Sequence, residues 1–172
     1  MKDRTILIGI DWGASTFRAW AFDEEGDVIG GISVPDGILT HSGDAMERLK
    51  FHINEWLSEW PEVPIIACGG IGGSQGIHKT DHRPVPMMIA DLPKYLVLAN
   101  GIHIVPGLKQ ASPPDIMRGE ETQLFALEEP IGAVCIPGTY TKHIVVEHGR
   151  ILGFTSEMTG ELRALLLDNG GL

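Results

Sequence analysis

The chain has 172 residues, enough for a domain with a well-filled core. Hydrophobic residues make up 43%, an ordinary share for a globular protein, and the formal net charge of −10 excludes nucleic-acid binding through a broad basic face. No run approaches the roughly 20 apolar residues of a membrane span, so neither a nucleic acid nor a membrane is an expected partner.

Residues 5–11 read as a buried strand, 16–23 as its hairpin partner and 27–34 as a third strand after the turn Glu24-Glu25-Gly26. Met46, Leu49, Ile53, Trp56, Leu57 and Trp60 recur at helical spacing. Asp44 with Glu47 resembles a capping box, and Pro61 stops the helix. Residues 63–68 predict a fourth strand, running into a loop with Gly69, Gly70, Gly72, Gly73 and Gly76. Glycines there serve tight turns or close approach of a ligand, and the sequence leaves both open. Residues 74–90 read as an irregular surface loop, in which His78, Asp81 and His82 lack metal-site periodicity and are expected to be solvated. A helix is expected over 92–98, a strand over 102–105 and a helix over 120–127. From residue 131 three more strands and a helix over 160–167 repeat the opening order.

The pattern is one βββαβα unit followed by βββα. It implies a first domain over 1–130 and the beginning of a second over 131–172. Cys68 and Cys135 each end an apolar run and read as buried reduced thiols, which with the lack of a signal-peptide pattern suggests a cytoplasmic location. Trp20, Trp56 and Trp60 read as core, while Trp12 is open to a role in sugar stacking.

Three segments carry candidate chemistry. Asp11 stands at a strand end before the small-residue turn Gly13-Ala14-Ser15-Thr16. Phosphates take backbone N–H donors at close range, and a strand-end carboxylate can hold Mg²⁺ directly or through water. The plain alternative is a hairpin with a turn Asp. Gly138, Thr139, Thr141 and Lys142 form a second such turn, offering hydroxyls and a cation to a phosphate oxygen. Arg118 precedes Glu120 and Glu121 at a helix start. The acids there either oppose the helix dipole or place a general base, with Arg118 beside it for an anionic substrate group.

Together these segments resemble the 2-dehydro-3-deoxygalactonokinase family, sugar-acid kinases of the actin/hexokinase/Hsp70-like superfamily. The similarity rests on Asp11-Trp12-Gly13 through Trp20, Gly69 through Gly76, Val105-Pro106-Gly107-Leu108, Met117-Arg118-Gly119-Glu120-Glu121-Thr122-Gln123, Pro137-Gly138-Thr139 with Lys142, and Met158-Thr159-Gly160-Glu161-Leu162. The resemblance implies a ribonuclease H-like α/β fold and ATP- and Mg²⁺-dependent phosphorylation of 2-dehydro-3-deoxy-D-galactonate at its 6-hydroxyl. It implies Asp11 as the metal carboxylate, both turns as phosphate clamps and Glu120, or its neighbour Glu121, as the base. Arg118, Gln75 and Glu121 are the implied substrate contacts. The chain departs from the family pattern at Tyr140-Thr141-Lys142-His143 and at Ile77. Family chains also continue with the rest of a second domain. This chain is therefore expected to be incomplete and inactive alone, with an exposed sheet through which it forms a homodimer. The alternatives are a catalytically dead sugar-acid-binding fragment and an assembly module of the same fold.

Overall fold

The structure, a computed structural model, describes residues 5–127 and 132–169. The first residues, the expected start of the second repeat at Ile131 and the Gly170-Gly171-Leu172 terminus lie outside the described residues.

In chain order the strands and helices are β1 (Leu7–Trp12), β2 (Phe17–Phe22), β3 (Val28–Val34), α1 (Ala45–Glu59) and β4 (Ile65–Gly69). Then come β5 (Arg83–Pro84), β6 (Met87–Met88), β7 (Val97–Ala99), β8 (Ile102–Ile104), β9 (Leu108–Ala111), β10 (Pro114–Met117) and α2 (Glu120–Gln123). The last are β11 (Gly132–Ile136), β12 (Thr141–Glu147), β13 (Arg150–Glu157) and α3 (Thr159–Asn169).

The chain divides into two compact units. Residues Met1–Asp81 and Tyr95–Pro106 make the first, and His82–Lys94 with Gly107–Leu172 make the second. The chain changes unit after Asp81, Lys94 and Pro106, so none of these points coincides with the boundary after residue 130 expected from the repeat.

The first unit holds a six-stranded sheet in the order β3-β2-β1-β4-β8-β7. β1, β2 and β3 form an antiparallel meander, β4 and β8 run parallel to β1, and β7 closes the edge antiparallel to β8. The core follows from alternation. Ile8, Ile10 and Trp12 of β1 and Phe17, Ala19 and Ala21 of β2 are buried, each set on alternate positions of its strand. The helical stripe Ala45, Leu49 and Ile53 of α1 packs in the same cluster, with Trp56 half-buried against it. Asp44 caps α1, its carboxylate accepting from the Glu47 N–H at 3.0 Å.

The second unit carries the repeat. β11, β12 and β13 form an antiparallel sheet, and β6 adds to it beside β13. A separate three-stranded sheet runs β10-β9-β5. β11 pairs with β12 alone among the described residues, and its Gly132, Ala133 and Cys135 are exposed. Leu162, Leu166 and Leu167 of α3 are exposed as well.

Several local expectations change. Residues 89–95 form a 3₁₀ segment with Pro93 inside it, and 97–99 are the strand β7, since Pro93 removes a backbone donor and the alternating Val97-Leu98-Ala99 completes a sheet edge. The loop over 74–90 contains β5 and β6. The β9–β10 hairpin was not foreseen, because Pro113 and Pro114 disguise it. The helix over 120–127 is one α-turn followed by 3₁₀ over 124–126. Cys68 is buried as expected, but Cys135 is exposed on the open side of β11. Trp12, rather than standing free to stack on a sugar, is fully buried, and its indole N–H donates to the Asp36 carbonyl at 2.8 Å.

Candidate active site

The site residues in the first unit are set by the β1–β2 hairpin. The turn closes through Gly13 N–H to the Thr16 carbonyl at 2.9 Å. Its outer side is tied to the loop after β3, where the Ile38 N–H donates to the Gly13 carbonyl at 2.9 Å and the Leu39 N–H to the Ala14 carbonyl at 3.3 Å. A Cβ on Gly37 would overlap the Ala14 carbonyl, so this approach requires glycine. The N–H groups of Ala14 and Ser15 donate to no protein group among the described residues. They are the available donors of the turn.

Sequence reasoning missed what stiffens this loop. The Asp36 carboxylate accepts from Arg48, from His52 Nε2 at 2.6 Å and from His41 Nδ1 at 2.8 Å. Burial opposes ionisation of Asp36, but these three partners outweigh it and hold the carboxyl well below the usual range. Arg48 also donates to the Gly37 carbonyl at 2.6 Å and lies over the Trp12 ring, 5.1 Å from its centroid. The only sequence signal was the helical position of Arg48 and His52 on one face of α1.

Asp11 lies at the end of β1, opposite Arg18 of β2, whose guanidinium donates to it at 3.2 Å. The Cys68 thiol is 3.9 Å from its other oxygen. Burial raises the Asp11 carboxyl above the ordinary range, against the opposing charge and hydrogen bond of Arg18. With one long bond on each oxygen, the carboxylate keeps acceptor capacity. No group of three or more His, Cys, Asp or Glu suited to a metal gathers among the described residues. A single carboxylate with free acceptor capacity is a donor of the kind Mg²⁺ takes, together with water and phosphate oxygens.

The glycine loop after β4 has packing reasons for its composition. A Cβ on Gly69 would come 2.6 Å from the Trp12 carbonyl oxygen, and one on Gly70 or Gly76 would overlap Ile38 or the Ile71 carbonyl. Gln75 is exposed at the tip of this loop.

In the second unit, Arg118 follows β10. Across the β5-β9-β10 sheet, Arg83 and Met117 both sit opposite Leu108. One step along, Gly107 lies beside His82 and Arg118: an added Cβ there would stand 2.8 Å from His82 Cδ2 and 3.1 Å from Arg118 Cβ. Arg118 Nη2 lies 3.0 Å from His82 Nε2. Arg118 makes no salt bridge among the described residues, and its Nε is buried without a hydrogen-bond partner. Burial lowers its pKa, partly offset by the nearby Glu121. His82, expected to be solvated, is thus half-buried and paired with the principal candidate cation.

Glu120 and Glu121 separate sharply. Glu120 is half-buried and accepts from the Arg118 N–H at 3.0 Å. Glu121 is fully buried and accepts from the Gly119 N–H at 2.9 Å on each oxygen. Burial pushes the Glu121 carboxyl up to about 8, against the N–H bonds that lower it. Expected to touch substrate, Glu121 instead faces the interior of the unit.

The second turn also differs from expectation. Gly138 is exposed and Thr139 half-buried. Thr141 and Lys142 are buried: the Thr141 hydroxyl bonds that of Thr159, and Lys142 Nζ donates to the Ile116 carbonyl at 2.8 Å and to Ser156. Both side chains brace the sheet, because on β12 they fall on positions turned toward neighbouring segments. A Cβ on Gly160 would overlap the Gly138 carbonyl, so α3 starts directly against this turn.

The meander β1–β3 beside parallel β4 and β8, with a second βββα unit, defines the ribonuclease H-like α/β class shared by actin-, hexokinase- and Hsp70-type proteins. Two solved structures of low identity share this fold: an activator of 2-hydroxyisocaproyl-CoA dehydratase from Clostridium difficile (10% identity, TM-score 0.52, 94% of this chain and 51% of that one) and the ethanolamine utilization protein EutJ from Carboxydothermus hydrogenoformans (18%, TM-score 0.52, 93% and 54%). Residues 11–172 match the 2-keto-3-deoxy-galactonokinase family, and the chain belongs to it. A crystal structure from Sinorhizobium meliloti, provisionally named as a 2-dehydro-3-deoxygalactonokinase, aligns at TM-score 0.81 with 31% identity, over 96% of this chain and 58% of that one. The 2-dehydro-3-deoxygalactonokinase of Escherichia coli K12 is 29% identical over 169 residues, which is 94% of this chain and 56% of that protein. The chain thus spans about half the length of the relatives it matches. No helix among the described residues is long and apolar enough to cross a membrane.

Proposed function

We propose that the chain supplies the N-terminal part of a kinase that transfers the γ-phosphoryl group of ATP to the 6-hydroxyl of 2-dehydro-3-deoxy-D-galactonate. The observation that carries the substrate class is Arg118, a half-buried guanidinium in no salt bridge among the described residues and with a buried Nε that lacks an acceptor there. A sugar-acid carboxylate supplies the missing charge and acceptor in two parallel hydrogen bonds.

The other residues take roles that fit phosphoryl transfer, in which positioning and charge neutralisation do most of the work. The Ala14 and Ser15 N–H groups, with Gly13 and Thr16 shaping the turn, receive phosphate oxygens. Gly138 and Thr139 do the same from the second turn, whose form Thr141 and Lys142 maintain. Mg²⁺, held through Asp11, neutralises phosphate charge when bound. Glu120 accepts the proton of the attacking hydroxyl, and Gln75 contacts the sugar acid from its loop tip. A cytoplasmic location and a homodimer of this chain through the exposed β11 side belong to the same reading.

The test has two arms. The chain extended by the C-terminal part of the E. coli relative should release ADP at about 1 s⁻¹ or faster with ATP, Mg²⁺ and the keto acid. The chain by itself should bind the keto acid in calorimetry without that turnover. Binding without turnover in the extended chain favours a sugar-acid-binding protein. Absence of binding in both removes the reading.

A further inference from the structure

We propose that His82 is a positioning residue for Arg118: it holds the guanidinium as a neutral acceptor and so leaves its charge for the substrate carboxylate. This rests on the sugar-acid reading of Arg118 given above.

Three observations converge. First, the contact assigns its own protons. A guanidinium has five N–H donors and no acceptor, so Arg118 Nη2 donates and His82 Nε2 accepts at 3.0 Å. His82 is therefore the neutral tautomer with its proton on Nδ1. Second, the pairing is built into the sheet. His82 enters β5, Arg118 leaves β10, and Gly107 precedes β9 between them. Gly107 lets the strands and the two side chains approach: an added Cβ would meet the Met117 carbonyl oxygen at 2.4 Å and His82 Cδ2 at 2.8 Å. Third, the two adjacent carboxylates take hydrogen bonds from backbone N–H groups and not from this cation. Glu120 is turned onto the Arg118 backbone N–H and Glu121 onto the Gly119 N–H. No described carboxylate forms a salt bridge with the guanidinium.

A purely structural anchor for a half-buried arginine would be expected to use a carboxylate, because charge-assisted bonds are the stronger ones. A neutral anchor fixes direction without adding an ion pair to the guanidinium. An anionic ligand then meets a guanidinium that is oriented in advance and in no salt bridge with a described carboxylate.

Gln and Glu at position 82 have the same size and differ in charge, so they separate the two roles. The measurements are calorimetric titration of 2-dehydro-3-deoxy-D-galactonate into the 172-residue chain and thermal melting of each variant. His82→Gln offers a neutral acceptor and should keep the affinity within about threefold of the parent chain. His82→Glu should melt at the same temperature or higher, while its affinity falls at least about tenfold, because an ion pair with Arg118 competes with the ligand. If His82→Glu binds as well as His82→Gln while Arg118→Lys loses the ligand, the positioning role falls and the sugar-acid reading stands. If Arg118→Lys binds like the parent, or the parent itself does not bind, both fall. Nitrogen-15 NMR of the parent chain gives a readout that needs no variant. The His82 ring must show a protonated Nδ1 and an acceptor Nε2, and a proton on Nε2 overturns the proposal.

Discussion

Glu120 and Glu121 are adjacent in sequence yet differ in exposure, one partly wetted and one fully buried. For Glu121 the consequence is a definite pH dependence. Its carboxyl, ordinarily near 4.5, stands at about 8 in the fold. Between these values the unfolded chain loses the proton and the folded chain keeps it. Stability from this group is fully present below 4.5 and is lost as pH rises toward 8, with a slope of up to about 1.4 kcal/mol per pH unit. Urea unfolding at pH 5 and pH 8 should show the parent weakening with pH, and Glu121→Gln should remove most of the difference. A parent that is equally stable at both values contradicts the sealed carboxyl. In the extended, active chain, Glu120→Gln should lower kcat by about 10²–10⁴-fold with the keto acid still bound. A larger loss in Glu121→Gln than in Glu120→Gln would move the base by one residue.

Asp11 gives a second prediction at this scale. Asp11→Asn keeps the size and removes the charge, so Mg²⁺-dependent turnover of the extended chain should collapse while keto-acid affinity measured by calorimetry stays the same. Unchanged turnover would make Asp11 a partner of Arg18 and nothing more. The position of Asp11 near the end of β1, before a small-residue turn, was legible in the sequence. His82 was not, because its neighbours Lys79, Asp81 and Arg83 have the composition of a solvated loop, and only the register of β5 against β9 brings it to Arg118.

At the scale of elements, periodicity served well wherever a segment buries one face against a single layer. The meander β1–β3 and the stripe on α1 fall where alternation and helical spacing place them, to within one or two residues. It failed where pairing is short and non-local. β5 and β6 have two residues each, and β9 and β10 are joined through a Ser-Pro-Pro stretch, so no local pattern announces them. The glycines separate in the same manner. Gly160 was legible as part of a family motif, but its physical reason is contact with the Gly138 carbonyl. Gly160→Ala should therefore displace α3 from the second turn and lower the melting temperature, with broadened NMR signals at 138–141. Gly43→Ala, whose Cβ would meet only Arg48 Cδ at 3.8 Å, should be close to neutral. Equal melting temperatures for the two variants would refute the docking of α3 on the turn.

For the whole molecule, the βββα repeat was readable because each copy is contiguous in sequence. The division into units was not, because the second unit takes β6 from a segment that interrupts the first. The first unit should then not need that segment. A chain of residues 1–106 in which 82–94 are replaced by a short Gly-Ser linker should unfold cooperatively in urea. If it does so only with 82–94 retained, the segment belongs to the first unit.

This threading also sets an order of events on the ribosome. β6 is synthesised well before β13, the strand it pairs with. At about 5–20 residues per second the interval is on the order of seconds. During that time Met87 and Met88 belong to a strand with no sheet to join, while β4 and β8 on either side of them in the sequence can already pair. Stalled nascent chains that end before β13 should be cut by protease within 82–94, and chains that extend past α3 should be protected there.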